Sequence, residues 1–189
     1  MLSQEDRVKK AHITMMKHPE TAFYSGVMMM GNTEVIDDAI TAYTDGVNKR
    51  YGRGFLEAFC PDQATVNGLV LHENLHIALR HMIHNLDLFR EDRQLANMAA
   101  DYVVNDIIEN IKDKNLVKLP EGGCYDPKYH NMNMREVYRL LKQEQEENGG
   151  GSGEEDGDGD EGSGGGEYQF DEHDVDNNMT PEDMRKANE

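Results

Sequence analysis

The chain has 189 residues, enough for one domain with a substantial core plus a tail, and a formal charge of −18. That charge is confined to one end: residues 143–189 carry 17 acidic and 2 basic side chains, net −15, leaving −3 (20 acidic, 17 basic) for residues 1–142. The balance excludes a nucleic-acid footprint, which needs clustered Lys and Arg, and no run approaches the roughly 18 apolar residues of a membrane span.

The N-terminus has no apolar segment of the secretory type, and the two cysteines, Cys60 and Cys124, stand in no metal-type spacing. The expectation is a cytoplasmic protein without a disulfide framework. Ser3 followed by Asp6 reads as a helix start, and Val8, Ala11 and Met15 recur at helical spacing, so a helix is predicted over 4–17. Residues 23–30 are rich in aromatic, β-branched and Met side chains and precede Gly31-Asn32; they are predicted as a strand with a return strand over 33–36. Residues 39–44 read as a further strand, turned by Asp45-Gly46 into a partner near 47–51. Phe55, Leu56 and Phe59 form a packed segment after it.

A long helix is predicted to start after Pro61-Asp62 and run to about His84, with Leu71, Leu75, Ala78, Leu79, Met82 and Leu86 as one apolar stripe. Outside that stripe lies His72-Glu73-Asn74-Leu75-His76. Two histidines at i and i+4 share a helix face, only about 40° apart, and can converge on one zinc ion. Glu73, about 100° round, stays off the metal and can act as general base toward a bound water. His81 falls near 180° and joins the same metal only if the helix breaks before it; a surface or ligand-supporting role ranks above ligation. Arg80 lies near the site and either orients a carboxylate or makes a surface ion pair.

A second helix, predicted over about 91–112, is apolar on most sides and therefore buried. Asn97, Asp101 and Asn105 form a polar line along it at i, i+4, i+8. A buried carboxylate is costly unless a cation answers it, so Asp101 ranks as the third metal ligand ahead of a pairing with Arg80 or a loop cap. Beyond it come a short extended piece at 116–119, turns at 121–123 and 126–127, and a last helix over 133–144. From 143 to 167 the composition collapses to Gly, Ser, Glu and Asp, a disordered linker. Residues 168–189 regain aromatic and His content, including His173, and read as the start of a further region.

Taken together, these segments resemble the predicted zincin-like metallopeptidases of bacteria and their phages, whose peptidase-like domain usually precedes a von Willebrand A-like domain. The resemblance rests on His18-Pro19, Tyr43-Thr44-Asp45-Gly46, Leu71-His72-Glu73 through Arg80-His81, Asn97 through Asn105, Leu119-Pro120-Glu121-Gly122, Glu136-Val137-Tyr138 and Phe170 through Asp174. It departs in lacking the partner domain and in having Leu95-Ala96 where an aromatic often precedes the Asn. The resemblance implies an α+β zincin-like fold in a bacterial or phage-infected cell, with a small mixed sheet packed on the active-site helix and a second buried helix. It places a peptidase domain at 1–142, the linker at 143–167 and a C-terminal segment at 168–189.

The expected activity is zinc-dependent hydrolysis of peptide bonds in a polypeptide substrate through a Glu73-activated, zinc-bound water. Its metal ligands would be His72, His76 and Asp101, with His81 and His173 ranked below them. Arg80, Asn97, Tyr102 and Asn105 are candidates to support the ligands or a developing oxyanion, and His81, His84 and His173 join Tyr102 as unranked oxyanion donors. The strand near 39–44 could offer an edge to an extended peptide. The alternative is a metal-stabilised interaction module without turnover, engaging a protein partner through the acidic tail. Against it stands Glu73, which a purely structural site does not need.

Overall fold

The structure is a computed structural model that describes residues 2–149. The linker beyond Gly149, the segment 168–189 and His173 lie outside the described residues. The first helix, α1 (Gln4–Lys17), starts as expected: the Ser3 hydroxyl accepts the Asp6 amide at 3.1 Å, and Val8, Ala11, His12 and Met15 turn inward.

Residues 22–30 are not a strand. They form a 3-10 turn (Ala22–Tyr24) and the short helix α2 (Ser25–Met28). The reason is periodicity: Tyr24 and Met28, four apart, pack toward the core, while Phe23 and Met29 are exposed. The apolar and aromatic composition imitates a strand although the burial pattern is helical.

The strand β1 (Thr33–Ile36) consequently has no partner in 23–30. It runs parallel to β3 (Lys49–Gly52), which pairs antiparallel with β2 (Ala42–Thr44), giving a three-stranded mixed sheet in the order β1-β3-β2. Ala42, Thr44, Lys49 and Tyr51 are wholly buried. Lys49 reaches across to donate to the carbonyls of Met30 (2.5 Å) and Met28 (3.4 Å), and burial pushes its ammonium down to about 8. These bonds tie the end of α2 to the sheet.

After α3 (Arg53–Phe59) comes α4 (Gln63–Ala78), entered through a reciprocal cap. Asp62 Oδ1 accepts the Thr65 amide at 2.8 Å, and Thr65 Oγ1 accepts the Asp62 amide at 3.3 Å. The amide of Thr65, with help from Lys118, holds the Asp62 carboxyl below its usual range. The expectation of one apolar stripe fails here: every residue from Ala64 to Ile77 is buried. The cause is position, because α1, α2 and the sheet pack on α4 from one side and α7 (Arg93–Glu109) from another. The polar residues of α4 are therefore inside the protein.

The helix also stops earlier than predicted. Arg80 adopts a left-handed conformation (φ 52°, ψ 39°), and the chain re-enters helix as α5 (His81–His84), followed by α6 (Leu86–Glu91). No glycine marks the break, so composition did not reveal it. Asp92 caps α7 by accepting the Leu95 amide, and α8 (Met134–Gly149) packs along α7 through Val137, Tyr138 and Leu141. α8 runs past residue 143, where the sequence was read as turning to linker.

The segment 116–118 crosses α4 at Gly68. Asn67 Nδ2 donates to the Leu116 carbonyl at 2.8 Å and the Lys118 amide to the Ala64 carbonyl at 3.0 Å. A Cβ on Gly68 would lie 2.0 Å from the Lys118 carbonyl oxygen, whereas one on Gly54 would meet open space. Gly68→Ala should thus destabilise the protein by about 1–3 kcal/mol in urea unfolding. Gly54→Ala, at an exposed position of α3, should be neutral or stabilising by up to about 1 kcal/mol. Equal unfolding midpoints for the two variants would contradict this crossing.

Candidate metal centre

Three donor atoms converge between α4 and α7. His72 Nε2 and His76 Nε2 are 3.0 Å apart, and Asp101 Oδ1 lies 3.6 Å from the first and 3.4 Å from the second. The i, i+4 spacing on α4 brings the imidazoles together; the carboxylate descends from α7, which crosses α4 at this point. All three residues are at least 95% buried.

The arrangement passes a geometric test for a small tetrahedral cation. Donors 2.0–2.1 Å from such an ion lie about 3.3–3.4 Å apart, the mean of the three separations found here. Chemistry agrees with geometry: among the described residues no hydrogen-bond donor satisfies Asp101 Oδ1. Burying a carboxylate costs several kcal/mol unless charge compensates it, and a dication between these atoms would do so. Two imidazoles and one carboxylate form a mixed nitrogen and oxygen donor set suited to a first-row metal or zinc.

The donors are held from behind. Asn105, one turn beyond Asp101 on α7, places Oδ1 2.9 Å from His72 Nδ1, and its Nδ2 donates to the Cys124 carbonyl at 2.8 Å. Because Nδ2 is committed to a carbonyl, the atom facing His72 is the amide oxygen, so His72 Nδ1 carries the hydrogen. Nε2 of His72 is then a lone pair aimed at the donor group, the form a ligand needs. His81 stands behind the second imidazole, with Nδ1 3.1 Å from Nδ1 of His76.

Glu73, the residue after His72, is wholly buried. Of the residues singled out in the sequence, the structure gathers His72, His76 and Asp101 into one group, the only His, Cys and carboxylate cluster of this kind among the described residues. His81 stays outside it, reached through the far nitrogen of His76. Asn97 is buried one turn before Asp101, also outside the group. Tyr102, taken as a possible oxyanion donor, stacks on Tyr129 at 4.6 Å in the core between α7 and α8, about 100° round the helix from Asp101. Arg80 sits in the left-handed turn, and the helical wheel that placed it near the site does not apply there. His84 is exposed on α5. Both cysteines are buried thiols outside any disulfide, and burial pushes the Cys60 thiol up to about 12, away from thiolate. The Cys124 carbonyl was not foreseen, since only tertiary contact brings residue 124 to residue 105.

A buried pair of histidines and a carboxylate, set between two helices of an α+β fold, is a group that could hold a metal ion. The chain belongs to the family whose model is described as a putative metallopeptidase domain, which matches residues 3–188. No curated protein and no solved structure matches the chain. No helix among the described residues is long and apolar enough to cross a membrane.

Removing the support behind His72 tests the centre without touching a ligand. Asn105→Leu should weaken metal binding roughly 10–100-fold in a chelator competition titration. Unchanged affinity in a folded variant would show that Asn105 does not orient His72.

Proposed function

We propose that this chain is a zinc-dependent endopeptidase of the zincin type, with His72, His76 and Asp101 holding the metal and Glu73 acting as general base. The observation that carries this reading is the three-donor triangle with a buried glutamate next in sequence to one of its members. A zinc ion in such a site supplies Lewis acidity, acidifying water and polarising a carbonyl oxygen. Glu73 would accept the proton of the attacking water and return it to the departing amine. Asn105 keeps the His72 lone pair directed at the donor group throughout.

Substrate would bind beside β2. The Gly52 amide donates to the Thr41 carbonyl at 3.0 Å, and Tyr43 stands opposite Arg50, so residues 41 and 43 turn their backbone groups to β3. Ala42 and Thr44 consequently turn theirs away from β3, to the outer edge of the sheet. Both residues are wholly buried, so that edge is covered, and a substrate side chain would enter instead the adjoining pocket of about 370 Å³ lined by Ile36, Ile40, Thr41, Tyr43 and Arg93.

One observation favours the second reading, a metal-stabilised interaction module: the donors and Glu73 are all nearly inaccessible. The number of protein ligands separates the two, since a structural site is closed by four and a catalytic site keeps a position open. The direct test is Glu73→Gln. It should retain about one equivalent of zinc yet lose roughly 10²–10⁴-fold in cleavage of an unfolded polypeptide such as casein. Undiminished cleavage by the folded variant ends the assignment of Glu73.

A further inference from the structure

His81 was ranked in the sequence below the ligands because a continuous helix carries it to the opposite face. The structure supplies what the sequence lacked. The left-handed turn at Arg80 ends α4 and swings the chain back, so that His81, five residues after His76, presents its ring edge-on to the His76 ring, with centroids 5.1 Å apart and planes at 74°. His81 is 3% exposed, and its Nδ1 lies 3.1 Å from Nδ1 of His76. A left-handed non-glycine residue costs roughly 1–2 kcal/mol, and this contact is a product of that turn.

Two ring nitrogens at hydrogen-bond distance require that one donate and the other accept. The direction follows from the other side of the His76 ring. Nε2 of His76 belongs to the donor group with His72 Nε2 and Asp101 Oδ1. To offer a lone pair there, a neutral His76 must carry its hydrogen on Nδ1, so Nδ1 of His81 must be the acceptor and the His81 hydrogen must sit on Nε2. The two metal-site histidines are thereby oriented by different acceptors, His72 by the amide oxygen of Asn105 and His76 by a third imidazole.

We propose that His81 is a positioning residue of the metal centre: its Nδ1 accepts the Nδ1–H of His76 and fixes the tautomer and ring orientation that present His76 Nε2 to the metal. This rests on the metal-site reading above and not on peptidase activity. His81 is not a ligand in this arrangement, since it meets the nitrogen of His76 that faces away from the other two donors. The role resembles that of a carboxylate or carbonyl behind a zinc-bound histidine, filled here by a neutral ring.

The test uses the full chain and zinc or cobalt(II), read by chelator competition and by nitrogen-15 NMR of the histidine rings. His81→Leu removes the acceptor and should weaken metal binding roughly 10–100-fold. His81→Asn, whose amide oxygen can take the place of Nδ1, should keep affinity within a few-fold of the parent. In the zinc-loaded parent the His76 signals should report a hydrogen on Nδ1. Parental affinity in His81→Leu overturns the proposal, and so does an equal loss in the Leu and Asn variants with unchanged thermal unfolding, which would mean packing or direct ligation. Should His81→Leu fail to fold, the NMR measurement on the parent still decides, because a His76 hydrogen on Nε2 in the loaded protein is incompatible with the proposal. Absent proteolysis alongside the expected affinity pattern would sink the peptidase reading while leaving this role of His81 intact.

Discussion

The structure depends on one constraint: α4 is buried on all sides and yet carries His72, Glu73, Asn74 and His76. A polar group inside a protein must find a partner or be paid for in lost hydration. Each neighbouring element answers part of that demand. α7 brings Asp101 to the two Nε2 atoms and Asn105 to the back of His72, and the Arg80 turn brings His81 to the back of His76. Among the described residues no donor satisfies Asp101 Oδ1, a need that a dication would answer.

The remaining architecture holds these two helices in register. The segment 116–118 lies against Gly68 close enough to exclude any side chain there, and the Cys124 carbonyl fixes the Asn105 amide. α1 and the sheet cover the other side of α4, with Lys49 tying the sheet to the end of α2 through two carbonyls. Beside β2 lies a pocket that begins at the end of β1 and reaches the first turn of α7.

How much of this was legible in the sequence follows from the kind of signal involved. α1, α4 and α7 were found because Ser3, Asp62 and the apolar periodicity are local cues, and Asp101 because a carboxylate in an apolar helix demands a cation. Residues 22–30 were misread because Phe, Tyr, Val and Met favour strands by composition, while the i, i+4 burial of Tyr24 and Met28 is visible only once packed. The break at Arg80 was hidden because Leu79-Arg80-His81 contains no helix-breaking residue; the left-handed turn is imposed by tertiary structure. Both mistakes displaced neighbouring inferences. The first gave β1 the wrong partner, and the second put His81 on the opposite side of the helix from His76.

X-ray absorption at the zinc edge of the stoichiometrically loaded protein, compared with Asp101→Ala, is the sharpest probe of a metal ion held by His72, His76 and Asp101. Two imidazole nitrogens and only light oxygen or nitrogen scatterers are expected at about 2.0–2.1 Å, with the carboxylate contribution lost in the variant. A sulfur scatterer near 2.3 Å, which would bring in Cys60 or Cys124, or a spectrum unchanged in Asp101→Ala, would contradict that ligand set.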